Sequence, residues 1–445
     1  MGAGAGLAAL LAEICGEAHV QAPPDRGLLS DATETRGLGG HAEAAVFPAD
    51  AQEVARIVGL CCSHGVPLTP RGGGTGFAGG AVPRGGVVLS LERLRRVRSI
   101  DPLAWRMVVE AGLPTADVRR LARENGLLFP PDPGAAEQSQ IGGNIATNAG
   151  GPHAFKYGVT GNWVTGLEVA VAPGELIRVG GPVRKDVSGL DLVSLLTGSE
   201  GTLGVITAAW LRLIPAPEAA LPVMASYPDA AAGCSAVERV LACGVVPAAL
   251  EFLDAHAAAA AGREGFLVIA EADGGAEEAA RAKRELSAAL AGGARSVESP
   301  HDAAAFWRWR DGVSIAVTAR RGGKVSEDIA VPVERLLEAI EGTHAIAARH
   351  GLEACCFGHA GDGNVHSTFL VDRSAPDEVE RASDAARELF SLARSLGGTV
   401  SGEHGIGLVK AGASGHAGRV AELQRALKAV FDPAGVLNPG KKEAG

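Results

Sequence analysis

Four glycines within five residues, Gly72-Gly73-Gly74-Thr75-Gly76, constrain this chain more than any other feature. Without Cβ atoms, successive backbone amides there can turn towards one anion as a nest, and Thr75 adds a hydroxyl. A surface turn needs one or two glycines, not four. The overlapping stretch Gly74-Thr75-Gly76-Phe77-Ala78-Gly79 also spells GxGxxG. That fingerprint signals a nicotinamide dinucleotide fold only where a helix follows directly, because the helix's first amides hold the pyrophosphate. Here Gly80-Ala81-Val82-Pro83-Arg84-Gly85-Gly86 follows, and proline with two more glycines breaks a helix. The glycine loop serves another architecture.

Two more segments share its style, "IGGNIATNAGG" (141–151) and "GSEGTLGV" (198–205). Both read as loops of small residues with amide and hydroxyl side chains and no bulk. Three such loops in one region imply one extended, polyphosphate-bearing ligand lying across a domain.

A chain of 445 residues exceeds one ordinary core, so two or three domains are expected. A net charge of −10 opposes nucleic acid as a partner, since phosphate binding needs a basic face. The run Glu92-Arg93-Leu94-Arg95-Arg96-Val97-Arg98 reads as a solvated face beside a turn. None of the seven cysteines forms CxxC, which signals neither an iron–sulfur cluster nor structural zinc. No Lys or Arg precedes Arg26, so the start lacks the charged opening of a signal peptide. A reduced, cytoplasmic chain is the expectation, peripheral to a membrane only through a partner.

A short helix is expected over 5–18. A clearer one begins at Asp50, carries the stripe Val54, Ile57, Val58 and Cys61, and ends at Gly65. Strands enter and leave the first glycine loop, and "NWVTGLEVAVAPGELIRVGG" reads as a hairpin turning at Pro173-Gly174. At "IPAPEAALP" (214–222) the texture changes to Ala-rich helices over 255–262, 277–291, 333–350 and 376–396, alternating with short strands. The expected division is an N-terminal helix and linker (1–40), a glycine-loop domain (41–216) and an α+β domain (217–445).

The chemistry-bearing residues gather late. "CCFGHAGDGNVHSTFL" offers His359 and His366, and the turn signal Asp362-Gly363 can return both to one point. "GTVSGEHGIG" offers Glu403 and His404, neighbours that point apart in extended backbone. A carboxylate plus two imidazoles is a plausible divalent-metal set, leaving the other imidazole to face substrate.

Together "PRGGGTGFAGGAVP", "IGGNIATNAGG", "KYGVTGNWVTGLEVA" and "LLTGSEGTLGVIT" resemble the FAD-binding domain of the vanillyl-alcohol-oxidase type flavoproteins. Within them, the match is to the glycolate oxidase subunit, D-lactate dehydrogenase and D-2-hydroxyglutarate dehydrogenase branch. The resemblance implies an α+β fold: a two-subdomain FAD-binding domain of the PCMH type and a C-terminal α+β cap domain with an antiparallel sheet. It implies FAD held by Arg71, Gly72, Gly73, Gly74, Thr75 and Gly76, then by Ser139, Gly142, Gly143, Asn144, Thr147 and Asn148. Glu200, Gly204, Val205 and Ile206 complete the expected set, with Asn438 of "FDPAGVLNPGK" approaching the flavin. The first loop has no histidine of the kind that tethers flavin in some relatives, so non-covalent FAD is expected.

The resemblance further implies zinc or manganese on His359, His366 and Glu403, with His404 as catalytic base. Substrate would be gripped by Arg310 and Ser314, taken to share one helical face over 305–318, and by Lys324. The implied reaction is oxidation of a D-2-hydroxy acid, glycolate or D-lactate, with hydride transfer to flavin N5. Lys324 lies four residues before Asp328, where relatives that oxidise D-2-hydroxyglutarate have a lysine two before, which tilts the expectation towards smaller acids. A diacid substrate, an ether-lipid synthase and a catalytically silent flavoprotein subunit stay as alternatives. Electrons would leave to an external acceptor: an iron–sulfur subunit, an electron-transfer flavoprotein, a quinone or a cytochrome. A homodimer is compatible with all of this.

Overall fold

The structure is a computed structural model that describes residues 3–442. It forms two compact units, and the chain passes between them more than once. The first unit takes the residues up to Ala149, Val159–Ala216 and those from Glu403 on; the second takes Gly150–Gly158 and Pro217–Gly402.

In the first unit a four-stranded mixed sheet contains β1 (Val20–Gln21), β2 (Ala44–Val46), β3 (Leu68–Arg71) and β4 (Val87–Ser90), in the order β1-β2-β4-β3. The helix Ala51–His64 feeds β3. Asp50 caps it by accepting from the amides of Gln52 and Glu53, and Gly65 ends it in the left-handed region at φ 62°. Val54, Ile57, Val58 and Cys61 are buried, as their spacing predicts. The second sheet of this unit is antiparallel. It contains β5 (Val97–Asp101), β6 (Arg106–Glu110), β8 (Val164–Val171), β9 (Glu175–Gly180) and β10 (Val205–Arg212), in the order β5-β6-β10-β8-β9. A small pair joins β7 (Leu127–Leu128) to β11 (Ile214–Pro215).

One expected loop is a helix. Residues Ile141–Thr147 make two turns, closed by Asn148 at φ 54°. Gly142 is there for packing: a Cβ on it would approach the Ala111 Cβ to 2.6 Å. Absence of a side chain lets this helix lie against the segment after β6, and that steric need outweighs the low helix propensity of glycine.

The second unit is built on a seven-stranded antiparallel sheet: β12 (Ala219–Tyr227), β13 (Ala249–Leu253), β14 (Phe266–Gly274), β15 (Ser296–Glu298), β16 (Gly323–Ala330), β17 (Glu353–His359) and β18 (Asn364–Val371). Their order is β15-β12-β14-β13-β17-β18-β16. Register divides the side chains between two faces. One face packs on helices including Ala276–Ala291, Leu336–Arg349 and Pro376–Ser395 through Val268, Phe369 and Leu389, among others. The other face is split. Along one half Leu267, Ile269, Cys355, Phe357 and Leu370 form a core with Phe306 and Val313. The other half is polar, carrying Glu251 opposite His359 and Asp328 opposite His366.

The expected helix over 305–318 is two helices, Ala303–Asp311 and Val313–Ala319, divided at Gly312. Arg310 and Ser314 therefore stand on different helices and face different partners. Among the described residues no helix is long and apolar enough to cross a membrane.

Candidate active site

Within the first unit the three glycine-rich segments line one cavity. Arg71, Gly72, Gly73, Gly74, Thr75 and Gly76 line it with Ser139, Gly142, Gly143, Asn144, Thr147, Glu200, Gly204, Val205 and Ile206. Among the described residues the amides of Gly72 to Gly76 donate to no backbone carbonyl, which leaves them for a ligand. The cradle is steric as well. A Cβ on Gly73 would come within 2.0 Å of the Gln138 carbonyl oxygen, whereas one on Gly143 would meet no protein atom within 4 Å. A bound group therefore has room beside Gly143, and the residues fit FAD.

Several expected contacts do their work through the fold. Arg71 donates to the carbonyls of Ser30 (2.7 Å) and Gly27 (2.9 Å), and burial lowers its pKa. Asn144 donates to Thr115 Oγ1 at 2.5 Å, and Thr115 Oγ1 lies 2.9 Å from Ser139 Oγ. Asn148 Oδ1 accepts from the Gly161 amide at 2.8 Å. Asn438 Nδ2 donates to the carbonyls of Gly80 (3.0 Å) and Glu200 (2.7 Å), pinning the C-terminal segment to the glycine loop. Asn438 does not line the cavity; His404 does.

His404 reaches the cavity because Glu200 holds the turn after it. The buried carboxylate of Glu200 accepts the amides of Ile406 at 2.9 Å and Gly407 at 2.7 Å. The His404 ring lies on Phe77, with centroids 4.9 Å apart.

In the second unit His359 ends β17 and His366 lies on β18, with the turn 360–363 between them. Their rings meet edge to face with centroids 5.3 Å apart, so the Asp362-Gly363 turn does return both to one place. Gly402 is anchored beside them. Its amide donates to the Asp328 carbonyl at 3.0 Å, and it packs so tightly on Asn364 that a Cβ would approach the amide to 2.3 Å. Asp328 and Asn364 are the register partners of His366 and His359. Glu403 is the next residue along the chain.

Arg310 is buried and ion-paired to Glu251, its Nε 2.8 Å from Oε2. Ser314 and Lys324 bond each other, and Lys324 lies opposite Leu370, four residues along β16 from Asp328. That is roughly 13 Å at the rise of a strand. Burial depresses the Lys324 amine to about 8.

Glu251 is the residue that sequence reasoning missed. Its Oε1 lies 2.6 Å from His359 Nδ1, and its surface is fully covered. Burial pushes its pKa up, but His359 and Arg310 pull harder and leave it below the usual carboxylate range. The signal was available: a carboxylate inside the apolar run Ala249-Leu250-Glu251-Phe252-Leu253 is rarely buried without a partner. Glu271 and Asp273 on β14 are a second missed pair. Glu271 accepts from Trp307 Nε1 at 2.5 Å and lies 2.8 Å from His153 Nε2, while Asp273 holds Lys156 and Tyr157.

Comparison with known proteins decides the family. Residues 216–442 match the family described as FAD linked oxidases, C-terminal domain, and residues 42–180 match the FAD binding domain. The chain belongs to the FAD-linked oxidase family. This FAD-linked oxidase is 37% identical over 416 residues to the glycolate oxidase subunit GlcD of Bacillus subtilis, covering 90% of this chain and 88% of that one. It is 37% identical over 410 residues to a D-lactate dehydrogenase of Archaeoglobus fulgidus, covering 89% and 90%. The fold of p-cresol methylhydroxylase superimposes with a TM-score of 0.82 at 18% identity, over 99% of this chain and 96% of that one. The protein is thus an FAD-linked oxidoreductase with the two-domain PCMH-type architecture.

Proposed function

We propose that this FAD-linked oxidase converts a small D-2-hydroxy acid, glycolate or D-lactate, to the 2-oxo acid. The observation that carries the reading is the His359–His366 pair, two imidazoles set edge to face on adjacent strands with Glu251 behind one of them. Relatives at the identities above are named for glycolate and D-lactate oxidation.

A divalent cation, zinc or manganese, would be held by His359, His366 and Glu403. The anchoring of Gly402 at the register partners of both histidines supports the place of Glu403 in that set. Bound there, a cation lowers the pKa of a coordinated hydroxyl. The substrate's carboxylate and hydroxyl would orient against these three side chains, and His404 would take the hydroxyl proton. The nest at Gly72–Gly76 and the cradle at Gly142 and Gly143 would hold FAD, which supplies the two-electron acceptor. Arg310 would offer the substrate carboxylate whatever donor Glu251 leaves unused.

The pairing of Arg310 with Glu251 also bears on the diacid alternative. A guanidinium already neutralised by a buried carboxylate attracts a second substrate carboxylate weakly, and Lys324 is engaged with Ser314. This favours monocarboxylic substrates. Electrons would pass to an external acceptor, and the description of the Bacillus subtilis relative as a subunit favours a partner protein in that role.

The test is anaerobic mixing of the purified flavoprotein with glycolate, D-lactate, L-lactate and D-2-hydroxyglutarate, before and after chelation. Bleaching of the flavin band by glycolate or D-lactate, lost on chelation, is expected. Bleaching by the diacid alone, or none by any acid, would overturn the reading.

A further inference from the structure

Glu251 touches neither solvent nor open cavity. It sits on β13 directly opposite His359 of β17, with Oε1 2.6 Å from Nδ1, while Oε2 takes both Nε and Nη2 of Arg310. A ring nitrogen that faces an ionised carboxylate oxygen carries the proton, because two lone pairs at that distance repel. Nδ1 of His359 is therefore an N–H, and in the neutral ring that leaves Nε2 with the lone pair. The same carboxylate fixes which end of the arginine is spent: Nε and Nη2 are used, and Nη1 is the end that can be offered.

We propose that Glu251 is a positioning residue that locks His359 in the Nδ1–H form, so that Nε2 is the metal donor, and orients Arg310 by the same charge. This rests on the metal reading above and adds to it the residue that sets the donor atom. A carboxylate behind a ligating imidazole fixes its tautomer and raises its basicity, and losing one typically costs 10- to 100-fold in metal affinity.

Removing Glu251 alone would strand a buried guanidinium and endanger the fold. The test therefore uses charge-balanced pairs, Glu251→Leu/Arg310→Met and Glu251→Gln/Arg310→Met. The second keeps an oxygen able to accept from Nδ1. Metal-stripped proteins are titrated with Mn2+ by electron paramagnetic resonance, and the His359 tautomer is read by 15N NMR in the metal-free state. We expect the Nδ1–H tautomer in wild type, and Mn2+ affinity down about 10- to 100-fold in the leucine pair and partly restored in the glutamine pair. A purely structural role would lower the melting temperature of the leucine pair and leave Mn2+ affinity where it was, which would overturn the proposal. An Nε2–H tautomer in wild type would overturn it too. If wild type binds no Mn2+ at all, the metal reading fails, while the tautomer still decides what Glu251 does.

Discussion

Glu200 Oε2 accepts the amide of Gly407 at 2.7 Å, so a residue expected to line the flavin cavity also holds the turn that follows His404. Its other oxygen takes the Ile406 amide at 2.9 Å and the Lys442 ammonium at 3.2 Å. Glu200→Ala frees two amides and loosens His404. Misplacement of a catalytic group by about 1 Å can cost about 100-fold, and a loss of that order in kcat is expected. Glu200→Gln keeps one acceptor and should lose less. Steady-state turnover of D-lactate, with flavin content read on the same samples, separates a displaced base from a lost cofactor.

His404 supplies the next expectation. If it takes the hydroxyl proton, His404→Ala should lower kcat by about 10²- to 10⁴-fold, the usual contribution of a positioned base. Its side chain packs on Phe77 and lies at the edge of a cavity whose other walls are intact without it. Flavin stoichiometry should therefore stay that of wild type. Turnover within threefold of wild type, with flavin bound, would exclude His404 as the base.

Much of this arrangement was legible in the residues, and the reasons differ by level. Local chemistry spoke clearly at Asp50 and Gly65, whose capping and left-handed turn are short-range events, and at Pro173-Gly174, which turns the hairpin of β8 and β9. The Asp362-Gly363 turn foretold the meeting of His359 with His366 for the same reason. What was not legible depends on partners distant in sequence. The helix at Ile141–Thr147 lies where Gly142 abuts Ala111, and no window around Gly142 contains that neighbour. The sequence offers Arg310 as a grip on substrate but does not show its partner Glu251, which lies 59 residues away along the chain. The carboxylates of Glu251, Glu271 and Asp273 are visible within their strands, but not what each of them holds. Their partners are set by sheet register, which sequence spacing does not reveal.

Gly143 tests the cofactor cradle without touching the chemistry. A Cβ there meets no protein atom within 4 Å, and alanine is the better helix former by about 0.8–1.0 kcal/mol. Gly143→Ala should leave the flavin-free protein as stable as wild type or slightly more so. If the space beside it belongs to FAD, affinity for FAD should fall at least about tenfold, equivalent to 1.4 kcal/mol. Fluorescence titration of apoprotein with FAD measures this. Unchanged affinity would place the flavin elsewhere.

Lys324 makes a pH-dependent contribution of predictable sign. Burial holds its folded pKa at about 8, below the 10.5 of a free lysine. Between those values the unfolded chain binds a proton that the folded chain has released. Stability from this group therefore rises with pH from about 8 to 10.5, and its cost is greatest below pH 8. Lys324→Met removes the effect. The variant's advantage in melting temperature over wild type should be largest near pH 7 and shrink as pH approaches 10.5. Parallel curves for the two proteins would show that Lys324 titrates normally.

Asp254 joins β13 to the helix Ala255–Ala260. Oδ1 caps that helix by accepting from Ala257 at 2.7 Å, and Oδ2 accepts the Cys356 amide at 2.6 Å and lies 2.8 Å from His344 Nε2. Loss of an N-cap costs about 1 kcal/mol, and a buried amide left without an acceptor costs about 1–3 kcal/mol more. Asp254→Ala should therefore destabilise the protein by about 2–4 kcal/mol, measured as a shift in urea midpoint. Asp254→Asn keeps an oxygen that can cap the helix, but its amide nitrogen cannot accept from Cys356, so it should recover only the capping share. His344→Ala should cost less than either, because His344 is part-exposed and water can replace its bond to Asp254. A ranking in which His344→Ala is the most damaging of the three would show that the histidine, not the two amides, is what Asp254 is there to hold.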